Sequence, residues 1–120
     1  DIPNTIVTAG KNDIASLITG AGSVMTHMAV GTGTTSVAAG DTTLETENDR
    51  NALSVSGGAP STNTIVYTGV WAAGDGTAAI TEAGLFSASS GGTMLARTVF
   101  SAVNKGAGDI LTITWTVTIS

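Results

Sequence analysis

The chain has no cysteine, one histidine, two prolines and only four lysine and arginine residues among its 120. Without cysteine there is no disulfide framework and no thiolate metal site. A single histidine speaks against the multi-histidine centres of catalytic zinc. A Ser-His-Asp relay would need His27 beside a nucleophile, and no Gly-x-Ser-x-Gly elbow surrounds any serine. His27 lies between Met25 and Met28 in a strand-like stretch and reads as a structural histidine. Nine acidic residues against four basic ones give a formal charge of −5. No basic stripe is present to meet phosphates or anionic lipid, so neither nucleic acid nor membrane is an expected partner. No apolar run reaches the roughly 18 residues of a membrane-spanning helix. The opening Asp1-Ile2-Pro3-Asn4 lacks a basic start and an apolar core, and no signal peptide is expected.

Charge and aromatic rings are also scarce. Charged residues make up 11% and aromatics 4% of the chain, against about 25% charged in an average soluble domain. Few large side chains are available to fill a thick core. The expectation is a thin two-layer body whose charge-poor surface suits residence in an assembly.

The clearest positive signal is the stretch 111–119, Leu-Thr-Ile-Thr-Trp-Thr-Val-Thr-Ile. Every odd position is large and apolar and every even position is threonine, the period of a strand with one buried face. Further strands are expected at 24–30, 63–71, 79–86 and 94–103, with a charged edge strand over 44–55. Gly/Ser-rich turns fall at 57–61, 74–77, 87–92 and 104–109. Ile14, Leu17 and Ile18 at helical spacing predict one short helix over 11–19, ended by Gly20-Ala21-Gly22. Residues 1–10 read as an extended arm and 11–120 as a single domain. The fold class is therefore all-β: an antiparallel β-sandwich, jelly-roll-like, with an N-terminal arm and one short helix.

Several constellations have a chemical reading beside a plainer one. Gly31-Thr32-Gly33-Thr34-Thr35 has the look of a phosphate loop but lacks its lysine and its third glycine, so a flexible loop is expected. Asp41, Glu45, Glu47 and Asp49 have oxygen ligands suited to calcium, but not the EF-hand spacing. An acidic edge that discourages strand pairing explains them more simply. Tyr67 and Trp71 share one face of a strand, either as a sugar-stacking platform or as core. Arg97 stands on the apolar face of its strand and needs a partner. A hairpin centred on Ser89 and Ser90 places Glu82 directly opposite it, and Glu82–Arg97 is expected as a cross-strand structural pair. No catalytic residue, cofactor site or metal site is assigned.

Three stretches resemble small virion proteins of tailed bacteriophages. They are Met28-Ala-Val-Gly-Thr-Gly-Thr-Thr35 running into Ala39-Gly-Asp-Thr-Thr-Leu44 and Arg50; Ile80-Thr-Glu-Ala-Gly-Leu-Phe86; and Met94-Leu-Ala-Arg97 with Phe100 and Ile113-Thr-Trp-Thr-Val117. The resemblance covers most of the chain from about residue 25 onward, and it does not separate head from tail. It implies a non-enzymatic particle component. The leading expectation is a capsid cement or decoration protein, a homotrimer on the outer surface of the virion head that bridges the major capsid protein after assembly in the host cytoplasm. A tail or fibre component is the alternative, and a carbohydrate-binding module using Tyr67 and Trp71 a third reading. Ile2, Pro3, Ile6 and Val7 of the arm are the expected partner contacts, by adding a strand to a neighbour's sheet.

Overall fold

A computed structural model describes residues 5–119, and Ile2 and Pro3 lie outside that range. The alternation in the sequence becomes two antiparallel sheets. The larger has five strands in the order β1-β7-β6-β2-β3: β1 (Thr5–Ile6), β7 (Met94–Lys105), β6 (Ala78–Phe86), β2 (His27–Gly31) and β3 (Glu47–Ala52). The smaller has three, in the order β4-β5-β8: β4 (Ala59–Ser61), β5 (Thr64–Trp71) and β8 (Leu111–Thr118). One helix, α1 (Thr8–Ile18), follows β1. The all-β, sandwich-like class expected from the pattern is what the chain adopts.

The main core lies between the sheets. Met28 and Val30 of β2, Ile80, Ala83 and Leu85 of β6 and Ala96 of β7 meet Tyr67 and Trp71 of β5 and Trp115 and Val117 of β8. Trp115 and Val117 are buried while Thr112, Thr114, Thr116 and Thr118 are exposed, so β8 realises its period-2 pattern. A second, smaller cluster of Val7, Ala29, Leu44, Phe86 and Met94 lies outside the large sheet, beneath the loop 32–46. Helix α1 packs against β7 with Ile14 on the inter-sheet core, and the sheets themselves come closest at one side. There β5 lies against β2 and β3, the Ser54 N–H donates to Thr68 O at 3.0 Å, and Asn51 Nδ2 donates to Val70 O at 2.9 Å.

The N-terminal segment departs from the expected arm. Thr5 and Ile6 pair with Arg97 and Ala96 of this chain's own β7, and Val7 is wholly buried. From Thr5 on, the segment is the edge of the chain's own sheet, so Ile6 and Val7 are not free to join a neighbour's. The helix also begins earlier than expected, at Thr8 rather than Lys11. Gly10 concealed that start, because glycine is a poor helix former. It is there for packing: a Cβ at Gly10 would stand 2.2 Å from Leu95 O of β7. The turn expected at 57–61 is shorter, with Gly57 and Gly58 at positive φ and residues 59–61 forming a short edge strand.

Gly10→Ala tests this packing by its sign. In an exposed helix the change would stabilise by about 1 kcal/mol. Here it should destabilise by about 1–3 kcal/mol in urea denaturation, because the added methyl meets backbone that cannot move aside.

Candidate functional site

The most connected polar group is the carboxylate of Glu82, in the middle of β6 and fully buried. It faces the outside of the large sheet, where the loop 32–46 crosses. Its Oε2 accepts the N–H of Gly33 at 2.8 Å and of Thr46 at 2.8 Å. Its Oε1 accepts the N–H of Glu45 at 3.0 Å and Arg97 Nε at 3.0 Å. Arg97 Nη2 lies 2.9 Å from the same oxygen, an ion-pair contact without hydrogen-bond alignment. Arg97 Nη1 reaches out to Asp41 Oδ2 at 3.1 Å, and that oxygen also accepts the Ala38 N–H at 3.0 Å. Buried charge is tolerated because every contact here is charge-assisted.

The expected Glu82–Arg97 pair therefore exists, but by a diagonal contact. The register sets Gly84 opposite Arg97 and Val99 opposite Glu82, two residues from the centring on Ser89 and Ser90. An irregularity at Leu85/Phe86 and the wide closure of the loop, with the Ser87 N–H donating to Thr93 O, shift the pairing. A shift of two keeps every side chain on its face, so the pair survives the error.

The Gly-Thr-Gly segment is correspondingly not a loose loop. A Cβ at Gly31 would lie 2.6 Å from Glu82 Oε2, and one at Gly33 would lie 2.4 Å from it. The glycines allow the backbone to approach an anion, as in a phosphate loop, but the anion is the protein's own carboxylate. Glu45 repeats the theme at the surface. Its carboxylate accepts the N–H groups of Thr34 and Thr35 at 2.8 and 3.0 Å and the Thr35 hydroxyl at 2.6 Å. The Thr35 hydroxyl first, then the two N–H groups, hold the Glu45 carboxyl below the usual glutamate value.

The remaining sequence candidates are dispersed. Glu47 forms a two-pronged pair with Arg50 at 2.7 and 3.1 Å. Arg50 also covers the Phe86 ring at 3.7 Å and donates to Ala88 O and Gly91 O, tying the edge strand to the 87–93 loop. Asp41, Glu45 and Glu47 thus have separate partners, and no metal-holding group of acids or histidine occurs among the described residues. His27 Nδ1 lies 2.8 Å from the Thr26 hydroxyl. Tyr67 and Trp71 are core side chains, 6% and 0% exposed, so they form no stacking platform. Burial first and the Asp13 charge second push the Tyr67 phenol up.

Sequence reasoning missed a cleft of about 470 Å³ on the side of the sandwich away from the β3–β5 closure. Ile80 of β6, Phe100 and Val103 of β7 and Ile113 and Trp115 of β8 line it. No charged residue does. Strand patterns gave each strand's faces but not the order of strands, so the gap was not legible. No family model, curated protein or solved structure matches this chain.

Arg97→Ala should cost about 3–5 kcal/mol, because it leaves the Glu82 carboxylate buried without its counter-ion, and Glu82→Ala should cost less, because Arg97 keeps Asp41 at 3.1 Å. The double variant should lose less than the sum, and thermal or chemical denaturation of the set measures the coupling. The lowered Glu45 value carries its own sign. A carboxylate held more acidic in the fold stabilises it above the unfolded-state value, and the contribution is lost as pH falls through the folded value. The Thr34 and Thr35 amide resonances should therefore titrate with a midpoint below the ordinary glutamate range, and Glu45→Gln should abolish that titration.

Proposed function

We propose that this chain is a non-enzymatic structural protein of a tailed-bacteriophage virion. In this reading it is a capsid cement or decoration protein that sits on the outer face of the head as a trimer and bridges major capsid proteins. The observation that carries the reading is the open side of the sandwich, where an uncharged cleft borders a strand edge that has no partner strand among the described residues. A body left open along an apolar seam gains most when another chain closes it. The charge-poor surface and the likeness of the Met28–Leu44, Ile80–Phe86 and 94–117 segments to small phage virion proteins support the same reading.

The physical logic is mass action. A protein that binds only the assembled shell stabilises that shell. Weak contacts repeated over many copies add through avidity. Residues 5–10 belong to the chain's own sheet and helix, so the bridging contacts are assigned to the open side rather than to the arm. With Tyr67 and Trp71 buried, the carbohydrate reading has lost the feature it stood on.

Purified protein should sediment as a trimer, co-sediment with decoration-free expanded heads of its phage and raise the temperature at which those heads break. A monomer that ignores heads, or labelled protein found only on tails of intact virions, would refute the capsid assignment.

A further inference from the structure

The sheets have four edges, and the described residues treat one of them differently. Edge strand β3 carries Glu47, Asp49 and Arg50. Edge strand β4 has three residues and contains Pro60. Edge strand β1 has two residues. Charge, proline and shortness are the usual protections of an edge against unwanted pairing. Edge strand β8 has none of them. It is eight residues long, uncharged, and in unbroken register with β5 from Leu111 to Trp115 and on to Thr118. Its other edge has no partner strand among the described residues.

We propose that the free edge of β8 accepts an extended segment of a partner protein, which pairs as a fourth strand and sets apolar side chains into the cleft. This rests on the proposed assembly role and names the kind of partner that closes the open side. Layer geometry selects a lone strand over a whole sheet. With β5 over β2 and β3, β8 lies over β6 and β7, and β7 continues past it as a ledge that is open at Phe100 and Val103 and covered by α1 at its Leu95 end. A second sandwich docked by its sheet edge would collide with that ledge, whereas a single extended segment lies along it. The strands among the described residues are all paired within their own sheets, so none of them supplies the segment.

The lining specifies the segment's chemistry. It contains no charge, so the segment is uncharged where it enters, with apolar residues at every second position to meet Phe100, Val103 and Ile113. Trp115 lines the cleft and is 5% exposed, and its buried Nε1 has no hydrogen-bond partner. Trp71 Nε1 is also unpaired, but Trp71 does not line the cleft.

The test uses a capped peptide of alternating threonine and valine, matched to β8 in length, with a lysine at each end for solubility. Added to the isotope-labelled protein, it should shift the amides of 111–118 and the Trp115 indole in a saturable way. The same peptide with proline at its centre should not, since proline breaks the ladder. Val103 is 43% exposed at the cleft, so Val103→Lys should leave the fold intact. It should weaken the peptide by more than about tenfold by putting a charge where apolar groups enter, and Val103→Leu should not. Shifts absent or elsewhere, equal binding by Val103→Lys, or pairing of β8 between copies without peptide would overturn the proposal. Peptide binding without head binding would keep the acceptor edge and remove the capsid assignment. Head binding unchanged by Val103→Lys and Thr112→Lys would do the reverse.

Discussion

The carboxylate of Glu82 is the constraint on which the outer half of the molecule depends. A long loop of small residues has little apolar surface with which to hold itself to a sheet. Here a buried anion does it, taking backbone N–H groups from Gly33, Glu45 and Thr46 and the guanidinium of Arg97. Once the loop is pinned, Leu44 lies over Phe86 and Met94 and completes the second apolar cluster. The arrangement also gives three of the acidic residues of 41–49 partners within the chain. Asp41 extends the Arg97 network, Glu45 caps the Thr34–Thr35 turn, and Glu47 positions Arg50. The chain has few charges, and those in this region hold loops to sheets.

Much of the fold was legible because period-2 patterns are local. Strand β8 follows residue by residue from Leu111-Thr-Ile-Thr-Trp-Thr-Val-Thr118. The Glu82–Arg97 pair was also readable, since a charge on an apolar strand face needs a counter-charge nearby. Its register was not, because the irregularity beside Phe86 leaves no mark in composition. The segments misread were governed by tertiary contacts. Gly10 looks like a helix breaker until the backbone of β7 is placed against it. Gly31 and Gly33 look like flexibility until the carboxylate between them and β6 is known. The cleft depends on strand order, a long-range property with no local signature.

The two faces of the architecture have opposite characters. Around Glu82 and at the β3–β5 corner the chain pairs most of its own polar groups. Along β8 it leaves a neutral ladder of backbone groups and an apolar floor. A free, soluble monomer has reason to protect such an edge, whereas a particle component has reason to keep it available. The asymmetry fits the proposed role as a virion protein, with the last strand as the proposed partner surface.

Residue-resolved hydrogen exchange on the isolated protein tests this division most directly. The amides of Gly33, Glu45 and Thr46 should exchange as slowly as those of the paired strands β2 and β6, because the Glu82 carboxylate holds them. The amides of β8 that point away from β5 should exchange far faster despite belonging to a regular strand. A loop that exchanges ahead of the outer edge of β8 would contradict the account, for it would mean that the loop is not held by Glu82 and that the edge of β8 is not open.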